Sequence, residues 1–176
     1  LQNTENRLDM AIQGEGFFVI DMPNGETGYT RSGQFQISPD GLLVNADGYP
    51  LAPNIEIPEE AVQVSINQAG VVEVKFQGEV DTVEVGRIEL ATFVSPVGLE
   101  AVGNNMLIET TASGPPTIGE PGTENTGSVL QAFLESSNVD PVTEMTMLIT
   151  AQRAYDLNSK VIKAGDEMMA TVTQLR

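Results

Sequence analysis

Apolar positions along this chain keep two rhythms, and the change falls near residue 138. Before it, apolar residues come in short runs or alternate with polar ones, the period of a β-strand, and turns interrupt them about every ten residues. Phe17-Phe18-Val19-Ile20-Asp21-Met22 reads as a strand, and Tyr29-Thr30-Arg31 reads as its return. Between them, Pro23-Asn24-Gly25-Glu26 carries the Asn-Gly pair favoured in type I′ hairpins. Phe35 and Ile37 face Leu42-Leu43-Val44 across Ser38-Pro39-Asp40-Gly41, and Ala46-Asp47-Gly48-Tyr49 makes a third turn. Val62, Val64 and Ile66 alternate with polar residues, Asn67-Gln68-Ala69-Gly70 turns the chain, and Val72, Val74 and Phe76 answer with the same period. A longer strand region over 83–94 is expected to break at Gly86, Met106-Leu107-Ile108 gives another strand, and 129–135 a last one. The segment 113–128, rich in Gly, Pro, Thr and Ser, reads as an irregular surface loop. The pattern over 1–137 predicts a meandering β-domain closed into a barrel or sandwich.

From 138 to 176 the rhythm becomes three and four. Asp140 can cap a helix, Pro141 suits its first position, and Val139 can pack forward onto the first turn. Met147, Ala151, Ala154, Asn158, Val161, Gly165, Met168, Val172 and Leu175 form a heptad seam over about four heptads, and Leu148, Tyr155, Ile162 and Met169 widen one side. Ala151, Ala154 and Gly165 are small enough to let a partner backbone approach, and Asn158 is a polar register device when paired. Such a helix spans about 55 Å. A domain of about 130 residues has a radius of gyration of about 14 Å, so the helix is expected to overhang its own domain and to serve assembly. The competing reading lays it along that domain.

The chain has 176 residues, enough for one domain plus an appendage, and is 40% hydrophobic and 19% charged, as soluble globular domains are. Its formal charge of −17 changes the picture of partners. Residues 140–176 hold five acids and four bases, so the β-rich part carries twenty acids against Arg7, Arg31, Lys75 and Arg87. An acidic surface repels phosphate backbones and anionic lipid, so neither nucleic acid nor a membrane surface is an expected partner. No stretch approaches the roughly 20 apolar residues of a membrane span, so no membrane insertion is expected. The chain opens at Leu1 rather than Met, so a preceding segment is expected.

Candidate chemistry is thin. With no Cys and no His, disulfides, thiolate sites and most nucleophile–base pairs are excluded. Gly14-Glu15-Gly16 resembles a phosphate loop, but strand residues follow it, and a turn or bulge is the better reading. Glu59-Glu60 and Asp166-Glu167 are acid pairs that nothing in the sequence sets across a cleft. Asn45, Asp40 and Asp47 sit at turns without calcium-loop spacing, and the serines with Lys160 or Lys163 make a dyad only on paper. No catalytic, cofactor or metal residue is assigned, and the chain is not expected to be an enzyme.

Several segments in order resemble the bacterial flagellar axial proteins, the rod and hook family. Leu8-Asp9-Met10-Ala11-Ile12-Gln13-Gly14-Glu15-Gly16-Phe17-Phe18 and Tyr29-Thr30-Arg31-Ser32-Gly33-Gln34-Phe35 are similar to its motifs. Asp40-Gly41, Leu43-Val44 and Asp47-Gly48-Tyr49-Pro50 follow. Leu134-Glu135-Ser136-Ser137-Asn138-Val139 then leads to Glu144-Met145 and Ala151-Gln152-Arg153-Ala154-Tyr155. Within the family, 85–90, 98–105 and 109–114, with the ending Thr173-Gln174-Leu175, are most similar to its distal-rod branch.

The resemblance implies a structural subunit of many copies in a helical tube that spans the periplasm and passes torque from motor to hook. Other rod and hook subunits are its implied partners, with ring proteins around the rod. Export by the flagellar type III route without signal cleavage is implied too. The resemblance also implies that the C-terminal helix pairs with an N-terminal one, which is expected in the segment before Leu1. The rival reading is an acidic β-domain that binds a carbohydrate or cell-wall partner, and a carboxylate glycosidase stands behind it.

Overall fold

The computed structural model describes residues 1–176 apart from 79, 80, 124, 125, 137, 138, 175 and 176, and inside the helix it describes no side chain at 166 or 171–174. The chain divides into two compact units, Leu1–Ser136 and Ser137–Arg176. In chain order the first holds β1 (Gln2–Asn3), β2 (Met10–Gln13), β3 (Phe17–Asp21), β4 (Thr27–Thr30), β5 (Phe35–Ile37), β6 (Leu43–Asn45) and β7 (Ala61–Ile66). It continues with β8 (Val71–Phe76), β9 (Thr82–Arg87), β10 (Leu90–Thr92), a 3-10 turn (Pro96–Gly98), β11 (Glu100–Gly103) and β12 (Met106–Ile108). Then come β13 (Thr117–Gly119), β14 (Ser128–Gln131) and β15 (Phe133–Leu134). The second unit is α1, Pro141–Gln174.

The architecture is sandwich-like, and no closed barrel forms among the described residues. A six-stranded sheet runs β11-β12-β4-β3-β10-β13, and a three-stranded sheet runs β7-β8-β9. The pairs β14-β2, β5-β6 and β1-β15 complete the set. Strand β3 sends alternate side chains to opposite faces. Phe18 and Ile20 enter the main core with Phe35, Leu43, Leu51, Ile55, Val72, Val74 and Leu90. Phe17 and Val19 enter a smaller cluster with Tyr29, Ala91 and Phe93. Edge-to-face rings lock both: Phe18–Phe35 centroids lie 5.1 Å apart and Tyr29–Phe93 centroids 4.8 Å.

One turn design recurs four times. At 22–26, 38–42, 45–49 and 67–71, the glycine N–H donates to the carbonyl three residues back, and that residue's own N–H closes onto the carbonyl one past the glycine. Gly25, Gly41, Gly48 and Gly70 all hold a left-handed φ, from 76° to 85°. This is a type I turn with a bulged glycine, so the first hairpin is not the type I′ expected from Asn-Gly. Type I′ needs positive φ at both central residues, and Pro23, whose φ is fixed near −65°, leads this turn instead.

Other departures have local causes. A register shift between Ala61 and Gln63 brings Ala61 opposite Phe76 and leaves Val62 in solvent. The 83–94 region breaks at Ile88-Glu89 rather than at Gly86, which lies inside β9 where an added Cβ would sit 3.1 Å from Ile55. Within 113–128, expected to be irregular, β13 pairs with β10. The last strand is split at Ala132, whose φ is 62°.

Gly33 sits where two backbones cross. Its carbonyl accepts from Met10 N–H at 2.9 Å, and a Cβ on Gly33 would come within 1.4 Å of the Met10 carbonyl oxygen. Gly33→Ala therefore forces the β2 crossing apart and is expected to cost at least about 3 kcal/mol. Gly25→Ala, which meets nothing within 4 Å, is expected to cost only about 1–2 kcal/mol for its left-handed φ. Urea unfolding of the two variants checks the contrast, and equal midpoints contradict it.

Candidate assembly surface

Helix α1 starts where the sequence sets its cap. The Asp140 carboxylate accepts from the Val142 backbone N–H at 3.1 Å and from the Thr143 hydroxyl at 2.9 Å, and the Asp140 carbonyl accepts the first helical bond from Glu144 N–H at 3.1 Å. These bonds, the Val142 N–H first, hold the Asp140 carboxyl below its ordinary pKa. Glu144 in the first turn adds favourable charge at the positive end of the helix.

Of the expected seam, Met147, Ala151, Ala154, Tyr155, Asn158, Val161, Ile162 and Met168 are exposed, and Gly165 is half-buried. Val172 lies on α1 with its side chain outside the described set, and Leu175 falls outside the described residues. The exposure is large: Met147 60%, Val161 70% and Met168 66%. Leu148 and Met169, which widen the seam, are exposed as well. At about 100° per residue, Met147, Ala151, Ala154, Asn158, Val161 and Gly165 share one stripe. The opposite face from Gln152 to Glu167 is polar, with Arg153, Asp156, Lys160 and Lys163.

A second apolar stripe was not part of the sequence reading. Val142, Met145 and Ile149, spaced by three and four, are exposed on the face opposite Met147 and Ala151. Counting heptads from Met147 passes over them. The polar residues of these first turns are largely satisfied within the helix. Thr146 and Thr150 hydroxyls donate to the Val142 and Thr146 carbonyls, each at 2.8 Å, and Thr143 serves the cap. The first three turns can therefore be buried on more than one side at little polar cost.

Within the β-rich unit, Arg31 fastens the last strand that precedes the helix. Its guanidinium donates to Glu135 at 3.0 Å and to the Gly14 carbonyl at 3.0 Å, and it lies 5.9 Å over the Phe17 ring. The other candidates for chemistry find no site. Glu59 and Glu60 are exposed. Gly14-Glu15-Gly16 is a turn before β3 that packs against Gly127. A recess lined by Thr30, Asn45, Asp47, Asn104 and Asn105 is polar, but Thr30 already donates to Asn105 and Asn104 to Asp47. No group of acids suited to a metal ion occurs among the described residues.

Comparison with known proteins bears on this surface. Residues 11–74 match the family described as the flagellar hook protein FlgE/F/G D1 domain. Residues 130–175 match the flagellar basal body rod FlgEFG protein C-terminal family. Three proteins named flagellar basal-body rod protein FlgG are similar along nearly the whole chain. Those of Caulobacter vibrioides and Agrobacterium fabrum are 48% and 44% identical over 98% and 99% of the chain, and 66% of each relative is covered. That of Buchnera aphidicola is 41% identical over 99% of the chain and 67% of the relative. The chain thus spans about two thirds of the length of these relatives.

The cap gives α1 a pH dependence of definite sign. A carboxyl whose folded pKa is lowered stabilises the helix above its unfolded value, about 3.9, and the contribution is lost as pH falls through the lowered value. Asp140→Ala is expected to reduce helix content at neutral pH, and the gap from the unchanged chain is expected to close as pH drops below about 4. Circular dichroism across pH checks this; a gap that persists unchanged at low pH contradicts it.

Proposed function

The chain belongs to the FlgE/F/G family of flagellar hook and rod proteins, and on that premise we propose that it is a structural subunit of the bacterial distal rod, polymerising into a tubular drive shaft that passes torque to the hook. The observation that carries the reading is the row of exposed apolar side chains along α1. Burying each Val, Leu or Met contributes about 1.5–3 kcal/mol. The stripe from Met147 through Ala151, Ala154, Tyr155, Asn158, Val161, Ile162, Gly165 and Met168 is the assembly interface of this reading, continued by Val172 and Leu175. The small residues let neighbouring backbones close in. The second stripe, Val142, Met145 and Ile149, suits a layer in which neighbours stand on more than one side of the helix.

The role is mechanical, and no catalysis is assigned to it. Contacts repeated head to tail do not close into a ring unless the rotation allows, so they grow a filament. The partners are further copies of this chain, then other rod and hook subunits, with ring proteins around the shaft. The place is the flagellar basal body across the periplasm, reached by type III export without signal cleavage. No helix among the described residues is long and apolar enough to cross a membrane.

Val161→Asp and Met168→Asp in the full-length protein are expected to abolish rod assembly while the unfolding transition of the β-rich unit stays unchanged. Electron microscopy of isolated basal bodies, with thermal melts of the same variants, makes the measurement. Normal rods from both variants overturn the seam.

A further inference from the structure

The chain holds seven methionines and no cysteine, so thioethers are its only sulfur. It has no Trp and no His either, which leaves methionine as the side chain most open to a two-electron oxidant. The fold divides these thioethers sharply. Met10 and Met106 are buried in the main core at 0% and 3% exposure, and Met22 packs half-buried against it. The Met106 sulfur also accepts from the Asn45 side-chain amide at 3.8 Å. The other four lie on α1 and are exposed: Met145 68%, Met147 60%, Met168 66% and Met169 72%. Solvent access decides which thioethers react, so the β-rich unit shelters its own while α1 presents all of its methionines. They fall on both apolar stripes. Met147 and Met168 belong to the seam, and Met145 lies between Val142 and Ile149 on the second stripe.

We propose that the α1 methionines are an oxidation site, open in the free subunit and closed in the assembled one, and that a peroxide-class oxidant acting there blocks assembly. The effect on assembly rests on the rod reading above. In the reaction the thioether sulfur attacks one peroxide oxygen, the O–O bond breaks and an S–O bond forms. The sulfur loses two electrons, and the other peroxide oxygen leaves as water. A flexible apolar side chain becomes a polar one that accepts hydrogen bonds. Between Met147 and Met168 the seam offers that acceptor few partners. Ala151, Ala154, Val161 and Gly165 have no side-chain donor, and Tyr155 and Asn158 have one each. A sulfoxide buried there loses its hydration without compensation, which opposes docking. Neither core cluster of the β-rich unit contains an α1 methionine, so its folding is left intact.

Full-length subunits treated with dilute hydrogen peroxide before assembly, then digested for mass spectrometry, test the site. Met145, Met147 and Met168 are expected to gain an oxygen while Met10 and Met106 do not, with the melt of the β-rich unit unmoved. Oxidation of Met10 and Met106 at the same rate overturns the site. Treated subunits are expected to need at least ~10-fold more protein to assemble, and reductases for both methionine sulfoxide epimers are expected to restore the original value. In rods assembled first, Met147 and Met168 are expected to resist the same treatment. Treated subunits that assemble normally, or rods oxidised as fast as free subunits, overturn the proposal. In a chain carrying Met145→Leu, Met147→Leu, Met168→Leu and Met169→Leu, peroxide is expected to leave the assembly concentration where it stood before treatment; a rise there puts the damage elsewhere and also overturns it. If untreated Val161→Asp fails to assemble while oxidised subunits assemble normally, the oxidation claim fails and the rod reading stands. If both assemble normally, both fail.

Discussion

Strand β3 is the element on which the β-rich unit depends, because it is buried on both faces. Its even residues, Phe18 and Ile20, anchor the main core, and its odd residues, Phe17 and Val19, anchor the smaller cluster. Its hydrogen-bonding neighbours are β4 on one side and β10 on the other. The Leu51 bridge at Ile20 and the Ala52 N–H bond to Val19 attach the 50–52 segment to the same strand. With Phe17 in the smaller cluster, the Arg31 guanidinium over its ring ties that packing to Gly14 and to Glu135. Glu135, just past β15, is thus fastened beside a strand that is buried on both faces.

Helix α1 obeys the opposite economy of burial. Its cap and its threonine hydroxyls are satisfied internally, so the backbone start is settled by local chemistry. Its apolar side chains are not: they stand in water along one stripe for most of its length and along a second stripe at its start. Tertiary burial of an apolar face, more than propensity, stabilises helices in proteins. On the proposed rod reading, that burial comes from neighbouring copies.

Much of this was legible in the sequence. The positions of the turns around Gly25, Gly41, Gly48 and Gly70 were legible from their glycines, but the turn type was not, since the first was expected as type I′ and is a type I turn with a bulged glycine. The helix and the common stripe of Met147, Ala151, Ala154, Asn158, Val161 and Gly165 were legible because three-and-four spacing maps directly onto a helix face. What escaped reading depended on neighbours in space. The register shift that exposes Val62 arises from pairing with β8. Strand β13 hides among prolines because an edge strand needs only one partner. Gly86 looked like a strand breaker, yet it is a packing position against Ile55. The stripe through Val142, Met145 and Ile149 was missed because a helix apolar on two faces defeats a search for a single seam.

The central claim is that the β-rich unit folds on its own resources while α1 draws its burial from other copies. Sedimentation velocity and circular dichroism of this chain over a wide concentration range test it most directly. The account predicts helix content that rises together with self-association, while the β-sheet signal stays constant. A compact monomer that is equally helical at every concentration contradicts it.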